Sequence, residues 1–242
     1  MSTLNTRKIK HDSSAVDNIT LTSNGRVGIA TNSPTQRFVA YDPTGGSDNI
    51  VMCESSAGHK IYMQADSGQQ KGVLGTLSNH PLAFVSNNIE RMRIDASGRV
   101  TKPYQPAFII NITNGDNGSE VDITPSNVLL NVGSHYSSAN GRFTAPVAGL
   151  YYFQFSVLMK DFGGGDNLEV NIRKNGGAYL IADRKAYSSG ATGTAGYLPG
   201  VVHAIIPMSV NDYVTFQYYK TGSTGSIHLS DVWSKISGFL IG

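Results

Sequence analysis

The feature of this sequence that most constrains its fold is a recurring alternation of apolar residues with a period of two. Residues 150–157 (LYYFQFSV) place apolar or aromatic side chains at 151, 153, 155 and 157, and residues 214–219 (VTFQYY) repeat the alternation. This period is typical of β-strands that bury one face. Turn-forming residues recur about every eight to twelve positions, and helical periodicity is weak throughout the chain. The sequence therefore predicts an all-β protein.

The composition supports a packed fold and argues against nucleic-acid binding. Hydrophobic residues make up 40% of the 242 residues, which is enough for a core. The net charge of +2 is too small for bulk attraction to nucleic acid. One basic cluster near the N-terminus consists of Arg7, Lys8, Lys10 and His11. We expect it to be a solvated arm, or else to dock onto an acidic partner surface.

The single cysteine and the N-terminal sequence bear on stability and location. Cys53 has no intrachain partner, so packing and association must supply the stability. We expect Cys53 to be a small buried apolar residue rather than a catalytic thiol. The N-terminus lacks the apolar segment of a signal peptide, and no apolar run approaches the roughly 20 residues of a membrane helix. These observations predict synthesis in a cytoplasm without membrane insertion.

The chain is predicted to have three regions. Residues 21–27 (LTSNGRV) and 94–100 (IDASGRV) form a short repeat of strand and glycine turn. A hairpin of this size is marginal in water by itself, so we expect the first region to wind around identical copies. The two prolines in residues 102–106 mark a boundary. We predict an N-terminal arm and β shaft, a small β module with the repeat, and a C-terminal domain, at 1–33, 34–102 and 103–242.

Two segments of the first regions resemble bacteriophage tail-fibre and appendage proteins. Residues 82–100 (LAFVSNNIERMRIDASGRV) look like a segment common in that family. Residues 25–34 (GRVGIATNSP) resemble its Gly-x-Val-Gly-Ile-Gly-Thr-x-x-Pro pattern, although Ala30 stands where glycine is usual. The resemblance implies interwoven trimeric shafts.

The last region is similar to the globular head domain of the complement-one-q family, within the tumour-necrosis-factor-like superfamily. The strongest match is residues 141–153 (GRFTAPVAGLYYF). Further matches, in the same order as in the family, are residues 106–108, 128–133, 174–176, 210–214 and 237–241. The resemblance implies a ten-stranded jelly-roll β-sandwich that forms a homotrimer. No Gly-X-Y collagen stalk precedes it, Asn211 stands in a turn where the family has Gly, and no calcium site can be transferred.

The resemblance also implies a set of residues at the three-fold interface. It places residues 150–157 and 214–219 in one inner sheet, whose outer face meets the neighbouring subunits. Tyrosine suits such a position because it buries area and keeps a polar tip. The alternative is an ordinary half-exposed surface. The predicted interface residues are Tyr152, Gln154, Thr215, Gln217, Tyr219 and Leu240.

The sequence offers no support for catalysis or for a bound cofactor. It contains no Gly-x-Ser-x-Gly, P-loop or His-Glu-x-x-His motif, and its six histidines lack metal-ligand spacing. Asp161 and Asp166 flank a glycine-rich stretch that more simply makes a hairpin end than a cation loop. We therefore predict no catalytic residue, no metal and no cofactor.

Together these features predict a non-enzymatic virion fibre protein whose trimeric head attaches to a host-surface glycan or protein. The N-terminal arm would dock onto other virion structural proteins, and the protein would be located in the virion. The candidate contact residues in the head loops are His135, Tyr136, Asp161, Asp166, Tyr187 and Ser188. The alternatives are a structural capsid or tail decoration protein and a glycan-degrading virion enzyme. A secreted host adhesion protein with the same head is disfavoured by the missing signal peptide and by residues 82–100.

Overall fold

The structure is a computed structural model of the 242-residue chain. It describes residues 8–9, 19–21, 23, 27–29, 38–40, 49–66, 69–113, 120–124, 127–162, 165–177, 179–186, 196–221, 226–228 and 233–242. The chain divides into two compact units, Met1–Lys102 and Pro103–Gly242. Every regular element in the described ranges is a β-strand, so the prediction of an all-β protein is confirmed. Those ranges contain no helix that could cross a membrane.

The first unit contains three small sheets. The first sheet has the order β1-β2-β3-β4, and only its β3–β4 pair is parallel. Its strands are β1 (Lys8–Ile9), β2 (Ile19–Leu21), β3 (Val27–Ile29) and β4 (Phe38–Ala40). Two antiparallel three-stranded sheets follow, with the orders β5-β6-β7 and β10-β9-β8. Their strands are β5 (Asn49–Glu54), β6 (Lys60–Asp66), β7 (Lys71–Thr76), β8 (Leu82–Ser86), β9 (Ile89–Ile94) and β10 (Val100–Thr101).

The structure contradicts the predicted burial of Cys53 and leaves the prediction for the basic cluster untested. Cys53, expected to be buried, is exposed on β5 because the sheet around it has one uncovered face. The basic cluster cannot be followed as a group, since Arg7, Lys10 and His11 lie outside the described residues. Lys8 belongs to β1.

The second unit is a β-sandwich of two sheets, here called sheet I and sheet II. Sheet I has the order β13-β11-β22-β16-β19, with β21 beside β16, and sheet II has the order β14-β15-β20-β17-β18, with β12 beside β20. The strands are β11 (Ala107–Asn111), β12 (Glu120–Asp122), β13 (Asn127–Val132), β14 (Tyr136–Ser137), β15 (Arg142–Thr144), β16 (Gly149–Phe162), β17 (Asn167–Lys174), β18 (Tyr179–Ala186), β19 (Gly196–Met208), β20 (Tyr213–Thr221), β21 (Ser226–Ile227) and β22 (Lys235–Leu240). Each sheet thus has six strands, five in a continuous order and one short strand beside them, and the two packed sheets confirm the predicted jelly-roll sandwich.

The core between sheets I and II is aromatic. In β16 the side chains of Tyr151, Phe153, Phe155 and Val157 are fully buried, as the alternation predicts. Phe143 of β15 packs on this row, with its ring centroid 5.5 Å from those of Tyr151 and Phe153. Further buried aromatic residues of the core are Phe108, Tyr136, Phe216 and Tyr218. Because edge-to-face and offset rings pack densely, this cluster fixes the spacing of the two sheets.

One part of the strand assignment is wrong. The sequence expectation placed residues 150–157 and 214–219 in the same sheet, but β16 belongs to sheet I and β20 belongs to sheet II. Both strands give one face to the shared core, so both have the same apolar period. The period shows that a strand borders the core, but it does not show which layer the strand joins.

Candidate functional site: the outer face of sheet I

The face of sheet I that points away from the core carries a row of apolar side chains. The strand registers place one residue from each of five strands side by side in this row. In order across the sheet they are Val132, Ala107, Phe239, Tyr152 and Ile205. Laterally paired residues on one face have their Cβ atoms about 5 Å apart, so the row is continuous.

A second row next to it extends the apolar area. Leu130 and Ile109 pair across β13 and β11, and Ser237, Gln154 and His203 continue the row towards β19. The other half of this row is therefore polar and contains no Asp, Glu, Lys or Arg. The name "apolar face of sheet I" is used below for Ile109, Leu130, Leu150, Tyr152, Ile205 and Phe239.

These side chains are accessible in the single chain. Ile205 is 61% exposed, and Leu150, Phe239, Leu130 and Ile109 are also classed as exposed. Large apolar side chains on adjacent strands of a monomer usually mark a surface that another molecule covers. The geometry of the face thus favours an association surface over a ligand pocket.

The predicted interface residues of β16 and β22 are only partly placed as expected. Tyr152 and Gln154 lie on the outward side of β16 and are half-buried in the single chain. Leu240 instead packs against the core, because it pairs with Tyr151 rather than with Tyr152. The outward residue at this end of β22 is Phe239, whose ring centroid lies 5.4 Å from that of Tyr152. Sequence reasoning missed Phe239 by one position.

The other three predicted interface residues lie on sheet II. Thr215, Gln217 and Tyr219 point away from the core on β20, on the opposite side of the sandwich from Tyr152. Gln217 is 3% exposed, and its side-chain amide donates a hydrogen bond to the Asp122 carboxylate at 3.2 Å. Tyr219 pairs laterally with Glu169 of β17. The structure therefore does not bring the six predicted residues together on one face.

The predicted contact residues are scattered. Tyr136 belongs to the core, where it stacks on Phe108 with ring centroids 5.1 Å apart, and burial raises the pKa of its hydroxyl. It therefore offers no surface to a partner. His135, Asp161 and Asp166 are half-buried near strand ends, and the Asp161 carboxylate lies 3.7 Å from the Lys160 ammonium. Tyr187 and Ser188 lie outside the described residues.

Within the ranges that the structure describes, no three side chains of His, Cys, Asp or Glu are grouped so that they could hold a metal ion.

The comparisons with known proteins concern mainly the second unit. The C1q domain family matches residues 107–241. The collagen alpha-1(X) chain of Mus musculus is 28% identical over 168 residues, which cover 68% of this chain and 21% of that protein. Complement C1q and tumor necrosis factor-related protein 9B of Homo sapiens is 35% identical over 71 residues, covering 29% of this chain and 20% of that protein. The chain thus spans about a fifth of the length of these curated relatives.

Among solved structures, the globular domain of zebrafish complement 1qA protein matches 57% of this chain and 98% of its own, with a TM-score of 0.42 and 18% identity. Murine APRIL matches 57% of this chain and 99% of its own, with a TM-score of 0.44 and 13% identity.

These findings overturn the predicted virion function. The relatives are a mouse collagen chain and a human C1q-related protein, so a phage fibre, a virion decoration protein and a virion glycan-degrading enzyme are all wrong, as is a location in the virion. The patterns at 25–34 and 82–100 describe strands joined by a glycine turn. Many exposed hairpins satisfy such short patterns, so the patterns do not identify a phage protein.

The resemblance of the head domain, in contrast, is confirmed, and it agrees with a protein that is not an enzyme. The matched residues make up more than half of the chain, and the chain therefore belongs to the C1q domain family.

Proposed function

We propose that this chain is a non-enzymatic structural protein whose C1q domains assemble into a homotrimer through the apolar face of sheet I. The observation that carries the proposal is the continuous row formed by Phe239, Tyr152 and Ile205 with their neighbours on β11 and β13. The three-fold order comes from the family resemblance. The apolar row supplies the physical reason for association.

The energetic argument is that this face is costly to leave in water. Burial of apolar surface contributes about 25 cal/mol per Å². Ile205 and Phe239 are accessible in the single chain, and a neighbouring copy would cover them without displacing any charged group of the row. Tyr152 adds a polar tip that can keep a hydrogen bond at the rim of the contact.

Sheet II is proposed as the hydrated outer surface. Its outward side carries the charged residues Glu169 and Arg184, which pair across β17 and β18, and Arg184 is exposed, whereas the outward Asn171 and Gln217 are buried. Charged groups are expensive to desolvate, so the area around Glu169 and Arg184 is suited to water and to polar partners. We further propose that residues 1–33 form an arm and shaft, 34–102 a small β module, and 103–242 the head.

The test measures the accessibility of the two sheets in the purified full chain. Ile205→Cys and Tyr219→Cys are each placed in a Cys53→Ser background and labelled with a maleimide under native conditions. In a lone chain Ile205 is more exposed than Tyr219, at 61% against 37%, so Ile205→Cys should react faster. Association through sheet I reverses this order, and Ile205→Cys should react at least ten times more slowly than Tyr219→Cys.

The mass of the native chain in solution completes the test. The proposal expects three times the chain mass of 25.9 kDa. Labelling of Ile205→Cys at the rate of Tyr219→Cys would contradict the use of sheet I. A native mass of a single chain would contradict assembly altogether. Phe239→Lys in the Ile205→Cys protein should restore fast labelling.

A further inference from the structure

Among the residues of the first unit whose burial the structure describes, no apolar side chain is fully buried. Every apolar side chain that is fully buried in the described residues lies in the second unit, from Phe108 onwards. Thr20, which is polar, is the one buried side chain among the first-unit residues with a described burial, a set that leaves out 38–40 and 49–52. A domain that orders about 100 residues must offset a large loss of conformational entropy, and it does so mainly by apolar burial.

The sheet β5-β6-β7 shows where the missing core would be. The alternation in β6 places Ile61 and Met63 on one face, and the register sets Met63 beside Leu74 of β7. Cys53 of β5 lies opposite Ile61 on the same face. All four side chains are exposed, and Met63 is 56% exposed. This set of Cys53, Ile61, Met63 and Leu74 is called the β6 face below.

The sheet β10-β9-β8 also has an apolar face that is largely exposed in the single chain. Leu82 and Val100 both pair with Ile94, and Phe84 pairs with Met92, so one face is apolar across three strands. Val100 is 56% exposed, and Phe84 is also classed as exposed. The charged pair Glu90–Arg93, with atoms 2.7 Å apart, lies along the middle strand. Each sheet has thus sorted its residues by polarity without burying the apolar side.

Three-stranded sheets become independently stable when an apolar face packs against something. Burying a side chain the size of Met or Leu is favourable relative to leaving it in water, roughly in proportion to the apolar area removed. The β6 face therefore leaves favourable burial unrealised in a single copy. Whatever covers this face would supply a large part of the stability of the unit.

We propose that residues 49–101 form a second self-association module, in which the β6 face of one chain packs against the same region of a second copy of this chain. This inference rests on the proposed function, because a trimeric head holds the preceding regions of three chains together. Tethering of this kind raises the effective concentration of a partner to about the millimolar range. At this effective concentration the β6 faces of the tethered chains remain in contact.

The uncharged character of the β6 face favours a second copy over a foreign partner. The β6 face has no charged side chain, so it offers nothing that would select a charged ligand or protein. An uncharged apolar face can pack against copies of itself around the three-fold axis of the proposed trimer, because no like charges are brought together.

The experiment compares four full-length chains: the wild type, Met63→Lys, Phe239→Lys and the double variant. Native mass is measured for each at micromolar concentration. With two association surfaces in series, each single variant keeps a mass of three chains but dissociates at a higher concentration than the wild type. The double variant is a single chain. A wild type with the mass of one chain, or a double variant with the mass of three chains, contradicts both proposals.

The two single variants separate the two proposals. A monomeric Phe239→Lys with an unchanged Met63→Lys overturns the inference about residues 49–101 and leaves the head proposal standing. A monomeric Met63→Lys with an unchanged Phe239→Lys overturns the head proposal and shows that the β6 face associates without tethering by the head. Circular dichroism checks that each variant keeps its β structure, and Lys71→Met serves as a matched control, since Lys71 lies at the start of β7 outside the β6 face.

The single thiol gives an independent readout on the same face. Any crosslink through Cys53 must join two chains, because the chain has no other cysteine. A short bis-maleimide should therefore convert wild-type protein to covalent dimers at a rate independent of dilution, and Met63→Lys should lower the yield at least fivefold. A head-only contact, with the β6 faces apart, predicts a yield that falls in proportion to concentration, which would overturn the inference.

Discussion

Tyr152 and Phe239 are register partners on neighbouring strands of sheet I, with their ring centroids 5.4 Å apart and their planes tilted by 39°. Both rings point away from the core, so they contribute nothing to the packing between the two sheets. An aromatic pair on the solvent side of a sheet adds stability when another molecule covers it. The register of β16 and β22 therefore places Tyr152 and Phe239 together at the surface where a neighbouring copy is proposed to pack.

The first prediction is a measurable coupling between these two rings. Tyr152→Ala, Phe239→Ala and the double variant form a cycle in chemical unfolding at one fixed chain concentration, since the stability of an oligomer depends on concentration. We expect a coupling energy of about 0.5–1.5 kcal/mol, the range for aromatic pairs beyond area burial. Tyr152→Ala combined with Tyr219→Ala is the control, because those residues lie on different sheets, and it should be additive.

The second prediction concerns the absence of a side chain at Gly238. The strand register sets Gly238 between Phe153 and Phe108, and an added Cβ would lie 2.5 Å from Phe153 Cδ1 and 2.7 Å from Phe108 Cε1. These rings are fully buried and cannot move aside. Overpacking of this kind costs about 1–3 kcal/mol, so Gly238→Ala should lower the free energy of unfolding by that amount.

The matched control for Gly238 is Gly242, in the same unit. An added Cβ at Gly242 meets nothing within 4 Å, so Gly242→Ala adds the same methyl group into open space. Its free energy of unfolding should stay within about 0.5 kcal/mol of the wild type. Equal effects of the two substitutions would show that Gly238 does not make room for the aromatic core.

The fold of the head could be predicted from the sequence because its strands have a strict apolar period. Tyr151, Phe153, Phe155 and Val157 alternate along β16, and the structure buries all four. The pairing of the strands could not be predicted from this period, since pairing depends on contacts between residues far apart in the chain. That is why β16 and β20 were assigned to one sheet although they belong to two.

The candidate site was predicted less well, for a related reason. In a strand, a shift of one residue moves a side chain to the other face. Residues 239–241 are all apolar, so the sequence gives no alternation there to decide which residue points outward. The register with Tyr151 and Tyr152 decides it, and places Phe239 outward and Leu240 against the core. The first unit was harder still, because its apolar faces have no buried partner in one chain.

The third prediction concerns the hydroxyl of Tyr136. Its oxygen is buried and has no hydrogen-bond partner among the described residues, although the ring stacks on Phe108. A buried polar group without a partner lowers stability, and removing it relieves that cost. Tyr136→Phe should therefore raise the free energy of unfolding by about 1 kcal/mol.

Tyr136→Ala distinguishes the ring from the hydroxyl. Loss of the whole side chain leaves a cavity beside Phe108 and should lower the free energy of unfolding by about 3 kcal/mol. Both variants are measured by chemical denaturation with the wild type. A Tyr136→Phe variant that is less stable than the wild type would show that the hydroxyl has a partner in solution.

The last prediction is a pH dependence at the turn before β20. The Asp212 carboxylate accepts hydrogen bonds from the Lys174 ammonium at 2.7 Å, the Asn175 side-chain amide at 2.7 Å and the Ser209 backbone N–H at 2.8 Å. These donors, with Lys174 the strongest, lower the pKa of Asp212 to about 2. The ordinary pKa of an aspartate in an unfolded chain is about 3.9.

A pKa that is lowered by folding gives stability that is present above the unfolded value and lost as the pH falls through the folded value. The contribution of Asp212 should therefore be intact above about pH 4 and should disappear towards about pH 2. Carbon-13 NMR of the labelled carboxyl group should show a midpoint near 2 in the folded chain. Lys174→Met removes both the strongest hydrogen bond and a positive charge, so the midpoint should move up towards 3.9. A midpoint near 3.9 in the wild type would mean that this turn is not held by the carboxylate.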